Sequence, residues 1–225
     1  MFTCLTSLNI LKLIILEYIT MITFQYSHEE QINIYSLRHS NNIYLFSNVF
    51  SEDICNKLID YTNKNAKYHL KLGVRQNIQG YEGEVEENDT FFEHISSKLV
   101  DIGKFLARKY CITFGSYNNN YNHEKINIRK IYGPTQIHMD GPINNTSGGD
   151  VKKMVSVEQI RSISVIIALN GDYDGGEIVF PCQNFKTKLK QGEAIVFPPY
   201  WTHPHYTEEL KNNTFRYTIN TWLSF

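Results

Sequence analysis

The sequence predicts an α+β fold that is mainly β, with helices in the first half of the chain and a β-core in the second. Apolar residues recur with the period of a helix in two segments before residue 110. From residue 126 onward, short β-prone runs follow one another and are separated by turn residues. Many short strands with turns between them are typical of a β-sandwich or barrel. We therefore expect the helices to pack against one sheet of that core.

The composition is that of one globular domain. The chain has 225 residues, of which 42% are hydrophobic and 20% are charged, so it can bury a full core. The formal net charge is −1, and this lack of a basic excess counts against a nucleic-acid partner. The four cysteines, at positions 4, 55, 111 and 182, are far apart. We interpret them as reduced thiols of an intracellular, cytoplasmic protein.

Residues 1–26 form an apolar extension that fits neither a membrane span nor a signal peptide. The run LTSLNILKLIILEYITMITF carries Lys12 and Glu17, whereas a spanning helix needs about 20 apolar residues with few charges. A basic start and a small-residue cleavage site are also lacking. We predict an appended amphipathic helix or an extension upstream of Met21, with a membrane anchor as the alternative. Residues 27–225 are then one domain, with a helical part at 43–110 and a β-core at 126–225.

The two helices have recognisable starts. After the β-prone run IYLFSNVF (43–50), Ser51 is an N-cap for the segment SEDICNKLIDYTNK. Thr90 and Glu93 form a capping-box pair that opens the second helix. Its apolar stripe consists of Phe91, Phe92, Ile95, Leu99, Ile102, Phe105 and Leu106. Residues 65–88, including QNIQGYEGEVEEN, are polar and are predicted to form a loop.

Seven runs are predicted as strands of the β-core. They are INIRKIY, TQIHMD, RSISVIIALN, GEIVF, EAIVF, HPHYT and FRYTINTWL. Turn residues separate them, for example NGDYDGG at 170–176, where Gly175 and Gly176 supply backbone freedom. The long gap at 143–160 is predicted to be a mobile loop between two strands.

One constellation of polar residues indicates metal chemistry. His138 and Asp140 are two residues apart, so on a strand they share one face. A third ligand is available from His203 or His205 on a late strand. Two histidines and one carboxylate leave coordination positions open, which suits non-heme Fe(II) rather than a structural zinc site. The alternative is a hydrogen-bonded surface pair without a metal.

Arg216 lies in a strand-like run soon after these histidines. Its planar, permanently charged guanidinium pairs well with a carboxylate, so beside a metal it favours an anionic co-substrate. The alternative is an exposed ion pair with Glu208 or Glu209.

Several motifs together resemble the 2-oxoglutarate- and Fe(II)-dependent oxygenases of the prolyl 4-hydroxylase type. The segment NIYLFSNVFSEDICNKLIDY resembles the opening strand and helix of that family, and IHMDG resembles its HxD strand. RSISVIIALNGDYDGGEIVFP and GEAIVFPPYWTHPHYTEELKNNTFRYTINTW resemble the later strands in the same order. The resemblance covers roughly residues 43–225 and implies a double-stranded β-helix, or jelly-roll, with N-terminal helices packed on its larger sheet.

The resemblance also implies the roles of individual residues. His138, Asp140 and His205 would bind iron, because the PH pair before the basic residue matches His205 rather than His203. Arg216 would bind the distal carboxylate of 2-oxoglutarate. Ser164 and Tyr132 are further candidates for 2-oxoglutarate binding, with a solvent-facing serine and a core tyrosine as alternatives. Trp222 is interpreted as a packing residue.

The implied reaction is the hydroxylation of a substrate by O₂, with release of succinate and CO₂ and with ascorbate keeping the iron reduced. A prolyl residue of a protein or peptide is the leading substrate, and the loops at 73–88 and 143–160 would form the mouth of the site. A lysyl residue, a small molecule and a nucleobase are alternatives. A nucleobase is disfavoured because related demethylases have a second arginine where this chain has Trp222. The remaining alternative is a non-catalytic jelly-roll binding module.

Overall fold

The structure is a computed structural model that describes residues 21–24, 32–35, 42–65, 70–71, 80–109, 122–141 and 161–224. The described helices are α1 (Glu52–Lys64) and α2 (Phe92–Lys109). Both lie where the sequence predicts them. The side chain of Ser51 accepts a hydrogen bond from the Ile54 amide at 3.4 Å, as its predicted N-cap role requires. The second helix begins within one residue of the predicted start.

The described strands are numbered in chain order. They are β1 (Met21–Phe24), β2 (Ile32–Tyr35), β3 (Tyr44–Phe46), β4 (Leu70–Lys71), β5 (Gly80–Val85), β6 (Asn122–His123), β7 (Ile126–Ile131), β8 (Thr135–His138), β9 (Arg161–Ala168), β10 (Asp174–Gly175), β11 (Ile178–Phe180), β12 (Phe185–Thr187), β13 (Ala194–Phe197), β14 (His205–Thr207), β15 (Leu210–Lys211) and β16 (Arg216–Ser224). A 3₁₀ helix spans Pro181–Gln183. Each of the seven predicted runs of the β-core contains one of these strands.

Two antiparallel sheets form the β-core. The larger sheet has the order β3, β13, β9, β16, β7, β5, β4, and β6 also pairs with β16. The smaller sheet has the order β12, β11, β14, β8. The pairs β1–β2 and β10–β15 form separate two-stranded ladders. Two packed antiparallel sheets with these crossovers are a jelly-roll, so the predicted fold class is confirmed.

Apolar residues fill two separate regions. One cluster joins the helices to the outer face of the larger sheet, with Leu58 and Leu99 packed against Ile219 and other strand residues. A second cluster lies between the sheets, where Phe197 of the larger sheet meets Phe180 of the smaller one at 4.8 Å between ring centroids. The predicted packing of the helices on the larger sheet is therefore observed.

The segment 80–88, predicted as loop, is partly a strand. β5 pairs with β7 over six residues, from Gly80 opposite Ile131 to Val85 opposite Ile126. Cross-strand ion pairs support the ladder, since Glu82 accepts from Arg129 at 2.9 Å and Glu84 accepts from Lys125 at 2.7 Å. Two glycines and three glutamates in residues 80–86 conceal this strand from propensity-based prediction.

The extension at the start of the chain is described only in part. Met21–Phe24 is a strand, so the predicted amphipathic helix does not include these four residues. Residues 1–20, the proposed mouth residues 73–79 and the predicted loop 143–160 lie outside the described residues. None of the described helices is long and apolar enough to span a membrane.

Candidate metal centre

Three side chains converge at one end of the smaller sheet. His138 ends β8, Asp140 follows two residues later and His205 begins β14, and the donor atoms of the three lie within 4.8 Å of one another. The Nε2 atoms of His138 and His205 lie 3.7 and 4.0 Å from Asp140 Oδ1. The two histidines are opposite each other in the ladder, which explains how residues 67 positions apart become neighbours.

A bulge in β8 turns both ends of that strand to the inside of the barrel. The ladder pairs His205 with His138 and Thr207 with Thr135, so two steps on β14 correspond to three on β8. Residues three apart on a regular strand face opposite sides. With the extra residue, Thr135 is buried and bonded to Thr207 while His138 still faces His205.

Each histidine is oriented by a backbone carbonyl two residues before it. His138 Nδ1 lies 2.8 Å from the Gln136 oxygen, and His205 Nδ1 lies 3.1 Å from the His203 oxygen. Because a carbonyl only accepts, each Nδ1 carries the proton, and the lone pair of each neutral Nε2 is directed to the space shared with Asp140, where a cation would be bound. Metal-binding histidines are commonly fixed in this way.

The charges at the cluster suit a divalent cation. Burial acts to raise the pKa of Asp140, but His138, His205 and Ser164 outweigh it and hold that pKa far below the usual range. Burial lowers the pKa of His205. For His138, burial also acts to lower the pKa, but Asp140 and the Gln136 carbonyl outweigh it and raise the pKa. An anionic carboxylate and two imidazole lone pairs are the donor set of a facial triad, so the residues fit the predicted Fe(II).

Arg216 begins β16 and is a buried cation. Its Nη1 donates to the Gly176 oxygen at 2.7 Å and its Nη2 lies 3.5 Å from Thr207 Oγ1. Its Nε is buried and has no hydrogen-bond partner among the described residues. No carboxylate of the described residues forms an ion pair with it. The alternative partner Glu208 is instead bonded to Lys186 at 2.7 Å. Burial lowers the pKa of Arg216, so an anion at this point would be strongly favoured.

The position of Arg216 fits a dicarboxylate that also reaches the metal. Thr207, beside its guanidinium, is two residues from His205 on β14, which corresponds to roughly 7 Å along the strand. A five-carbon dicarboxylate has a charged group at each end, so it can contact the metal with one end and Arg216 with the other. The residues present therefore fit 2-oxoglutarate.

The inner face of β16 is polar along its length. Tyr217, Ile219 and Leu223 pack on the helix side. The alternate residues face the other sheet, and they are Arg216, Thr218, Asn220 and Trp222. Thr218 donates to Asn220 at 2.7 Å on this face. This face therefore places buried polar groups, Arg216 among them, in the interior of the β-core.

Ser164, Tyr132 and His203 lie in three different surroundings. Ser164 lies on β9 and donates its only hydroxyl proton to Asp140 Oδ2 at 2.6 Å, so in this arrangement it orients a metal ligand. The Tyr132 ring lies 6.0 and 6.4 Å from the rings of Tyr81 and Phe215. Contact of Ser164 or Tyr132 with 2-oxoglutarate stays a prediction. His203 is buried and is not one of the three clustered residues.

A family match covers this site. Residues 130–224 match the model of the 2OG-Fe(II) oxygenase superfamily. The predicted resemblance is confirmed. The matched segment contains all three clustered residues and Arg216, and with it the predicted class, a 2-oxoglutarate-dependent dioxygenase, is confirmed. No curated protein matches the chain in sequence.

Solved structures with this fold include three prolyl hydroxylases. The viral collagen prolyl hydroxylase of Paramecium bursaria Chlorella virus-1, in complex with 2-oxoglutarate, aligns with a TM-score of 0.59 and 17% identity over 82% of this chain and 96% of its own. A Pseudomonas putida prolyl-4-hydroxylase gives 0.57 and 12% over 82% and 93%. A Trichoplax adhaerens prolyl hydroxylase, in complex with a hypoxia inducible factor peptide fragment, gives 0.57 and 16% over 82% and 84%. These likenesses show the shared fold.

Sequence reasoning missed the hydroxyl groups beside Arg216. Thr207 lies two residues after His205, so its place on the same strand face was available from the sequence. The position of Thr135 could not be inferred from the sequence, because the bulge in β8 breaks the alternation that relates it to His138. Arg161 and Glu124 were missed as well, since Arg161 on β9 reaches the Asp140 carbonyl and Glu124 reaches Arg161 only after the chain folds.

Proposed function

We propose that the protein is an Fe(II)- and 2-oxoglutarate-dependent hydroxylase of prolyl residues in a protein or peptide, and that it releases succinate and CO₂. The observation that carries the proposal is the combination of two features of one β-core. These are the cluster of His138, Asp140 and His205, and a buried Arg216 that pairs with no carboxylate of the described residues. The family match to residues 130–224 supports the reaction class.

The residues of this chain have separate tasks in that reaction. His138, Asp140 and His205 would hold iron, which with 2-oxoglutarate and O₂ supplies the oxidising power. Arg216 binds and orients the distal carboxylate of 2-oxoglutarate. Ser164 keeps the Asp140 carboxylate turned toward the histidines through its 2.6 Å hydrogen bond. The apolar cluster between the sheets, around Phe180 and Phe197, excludes water from one side of the site.

The prolyl substrate is supported by analogy. All three of the reported structural neighbours are prolyl hydroxylases, and one of them was solved with a peptide. Fold likeness alone does not define a substrate, so the assignment depends on assay. Ascorbate, as the reductant that keeps the iron in its Fe(II) state, and an intracellular location are parts of the same proposal.

One assay tests both the reaction class and the substrate. The purified protein is supplied with Fe(II), 2-oxoglutarate, ascorbate and O₂, and succinate is measured with and without a panel of proline peptides. Matched peptides in which lysine replaces proline serve as substrate controls, and His205→Ala serves as the enzyme control. We expect proline peptides to stimulate succinate release and to gain the mass of one oxygen atom.

The other outcomes are equally informative. Succinate release that no proline peptide stimulates would retain the oxygenase class and remove the prolyl assignment. Stimulation by lysine peptides alone would identify a lysyl hydroxylase. Absence of both Fe(II) binding and succinate would favour a non-catalytic jelly-roll module.

A further inference from the structure

Asp140 is the least regularly held of the three clustered ligands. It lies beyond the end of β8, where no strand pairing of the described residues fixes its backbone. Its side chain is bonded by Ser164, and the next amide, Gly141 N–H, donates to the Pro199 oxygen at 3.1 Å. The third hydrogen bond to this segment is made by Arg161, whose Nη1 donates to the Asp140 carbonyl at 2.5 Å.

Arg161 is held rigidly for that contact. Its Nε and Nη2 donate to the two carboxylate oxygens of Glu124, each at 2.8 Å, in a bidentate pair. Both side chains are only 12% exposed. Two parallel hydrogen bonds fix the plane of the guanidinium, so the remaining Nη1 can point only toward the Asp140 carbonyl.

The other side of this pair is anchored to the end of β16. The Arg161 guanidinium carbon lies 3.6 Å from the centre of the Trp222 ring, which is a cation–π distance. Glu124 donates its amide to the Trp222 oxygen at 2.8 Å and accepts from Thr221 Oγ1 at 3.1 Å. Trp222 is in turn directly opposite Ser164 in the ladder. A continuous path of contacts therefore runs from β16 through Glu124 and Arg161 to Asp140.

We infer that Arg161, held by Glu124, is a positioning residue for Asp140: it fixes the backbone of the ligand segment so that the carboxylate faces His138 and His205. This inference rests on the proposed function, because it concerns the same metal site. A lysine cannot replace Arg161 in this role, since one ammonium group cannot bind Glu124 bidentately and also reach the Asp140 carbonyl.

The chain offers a matched control for the structural part of this pair. Arg129 on β7 donates to Glu82 at 2.9 Å in the same sheet, and its side chain is 13% exposed. Within the described part of the chain, Arg129 makes no hydrogen bond to His138, Asp140 or His205. Arg129→Lys thus weakens a part-buried arginine–glutamate hydrogen bond that lies outside the ligand segment, and it keeps the positive charge that acts on His138.

The experiment is a titration of the whole protein with Co(II) in place of Fe(II), followed by visible absorption, which depends on coordination geometry. We expect Arg161→Lys to weaken Co(II) binding by about 10- to 100-fold, the range typical of residues that orient metal ligands, and to alter the spectrum. Arg129→Lys keeps the parent's affinity and spectrum. Glu124→Gln acts in the same direction, and the double variant is no weaker than Arg161→Lys alone, because both act through one contact.

Two results would overturn the inference. One is parent-like Co(II) affinity and an unchanged spectrum in both Arg161→Lys and Glu124→Gln. The other is an equal loss in Arg129→Lys. Thermal unfolding of each variant checks that it folds. If Arg161→Lys does not fold, Glu124→Gln provides the test. A parent protein that binds Co(II) but releases no succinate would contradict the proposed function alone, whereas one that binds no Co(II) would remove the metal site and this inference with it.

Discussion

His203 and His205 are only two residues apart, yet the structure gives them different tasks. On the sequence alone, both could face one side of a strand, and only the resemblance to a family favoured His205. In the structure, β14 begins at His205, which lies opposite His138. His203 is buried against other groups, with its Nδ1 2.9 Å from Thr202 Oγ1, and it contributes its backbone carbonyl to His205. One side chain is a candidate ligand and the other residue orients it.

This difference predicts opposite results for two alanine variants. His205→Ala removes one of the three candidate ligands and should abolish Fe(II)-dependent succinate release. His203→Ala keeps the carbonyl that orients His205 and should retain a substantial part of that activity, with some loss of thermal stability because a buried side chain is removed. Turnover and Fe(II) binding are measured for both proteins. If His203→Ala were inactive and His205→Ala active, the ligand assignment would be reversed.

The candidate site shows which kinds of residue role can be predicted from sequence. His138, Asp140 and Arg216 stand in motifs whose spacing already indicates their chemistry. Ser164 was expected to contact 2-oxoglutarate, and its hydrogen bond to Asp140 could not be foreseen, because it links β9 to a segment 24 residues earlier in the chain. Long-range contacts of this kind depend on how the two sheets meet, which no local pattern contains.

At the scale of elements, the sequence predicted strands that carry apolar runs and missed those that do not. β7 and β9 are rich in isoleucine and lie where expected. β5 contains Gly80, Gly83 and two glutamates and forms because β7 offers a free edge and matching cations. The bulge in β8 is likewise set by its partner β14, since nothing in TQIH itself demands an extra residue.

The turn before β13 should be intolerant of any side chain at Gly192. This residue has φ +77°, and a Cβ there would lie 2.2 Å from the Phe50 oxygen. Its carbonyl accepts from the Val49 amide at 2.8 Å and so connects the turn to the segment that enters α1. Gly192→Ala should therefore destabilise the fold by at least about 1–3 kcal/mol, the typical cost of a strained backbone, plus the cost of the clash.

Thermal or urea unfolding measures this effect. A loss of each kcal/mol corresponds to about 2–4 °C in Tm for a chain of this size. Lys190→Ala, at an exposed position in the same turn, is the control and should change stability by no more than about 0.5 kcal/mol. Equal stability of Gly192→Ala and the parent would mean that the turn can relax away from Phe50.

The whole molecule separates its stabilising core from its chemistry. The helices and the outer face of the larger sheet bury most of the large apolar side chains. The space between the sheets is divided into an apolar half around Phe180 and a polar half along the inner face of β16. This division explains why the fold class could be predicted from the sequence. The apolar residues of each strand alternate with polar ones: the apolar residues face the outer core and the polar residues face the interior between the sheets.

Arg216 is a buried cation that pairs with no carboxylate of the described residues, so the stability of the whole molecule should depend on its co-substrate. Desolvation of Arg216 costs free energy that no acidic residue of the described chain offsets, so bound 2-oxoglutarate should stabilise the folded state. With Mn(II) as a redox-stable metal and 2-oxoglutarate at about 100 times its Kd, the gain is about 2.7 kcal/mol, or roughly 5–10 °C in Tm.

Arg216→Gln should be at least as stable as the parent without ligands, should keep the shift produced by Mn(II), and should lose most of the further shift produced by 2-oxoglutarate. Differential scanning fluorimetry of both proteins, with glutarate as a control that lacks the keto group, measures each increment. An undiminished 2-oxoglutarate shift in Arg216→Gln would show that the dicarboxylate is bound elsewhere and that the buried arginine has only a structural role.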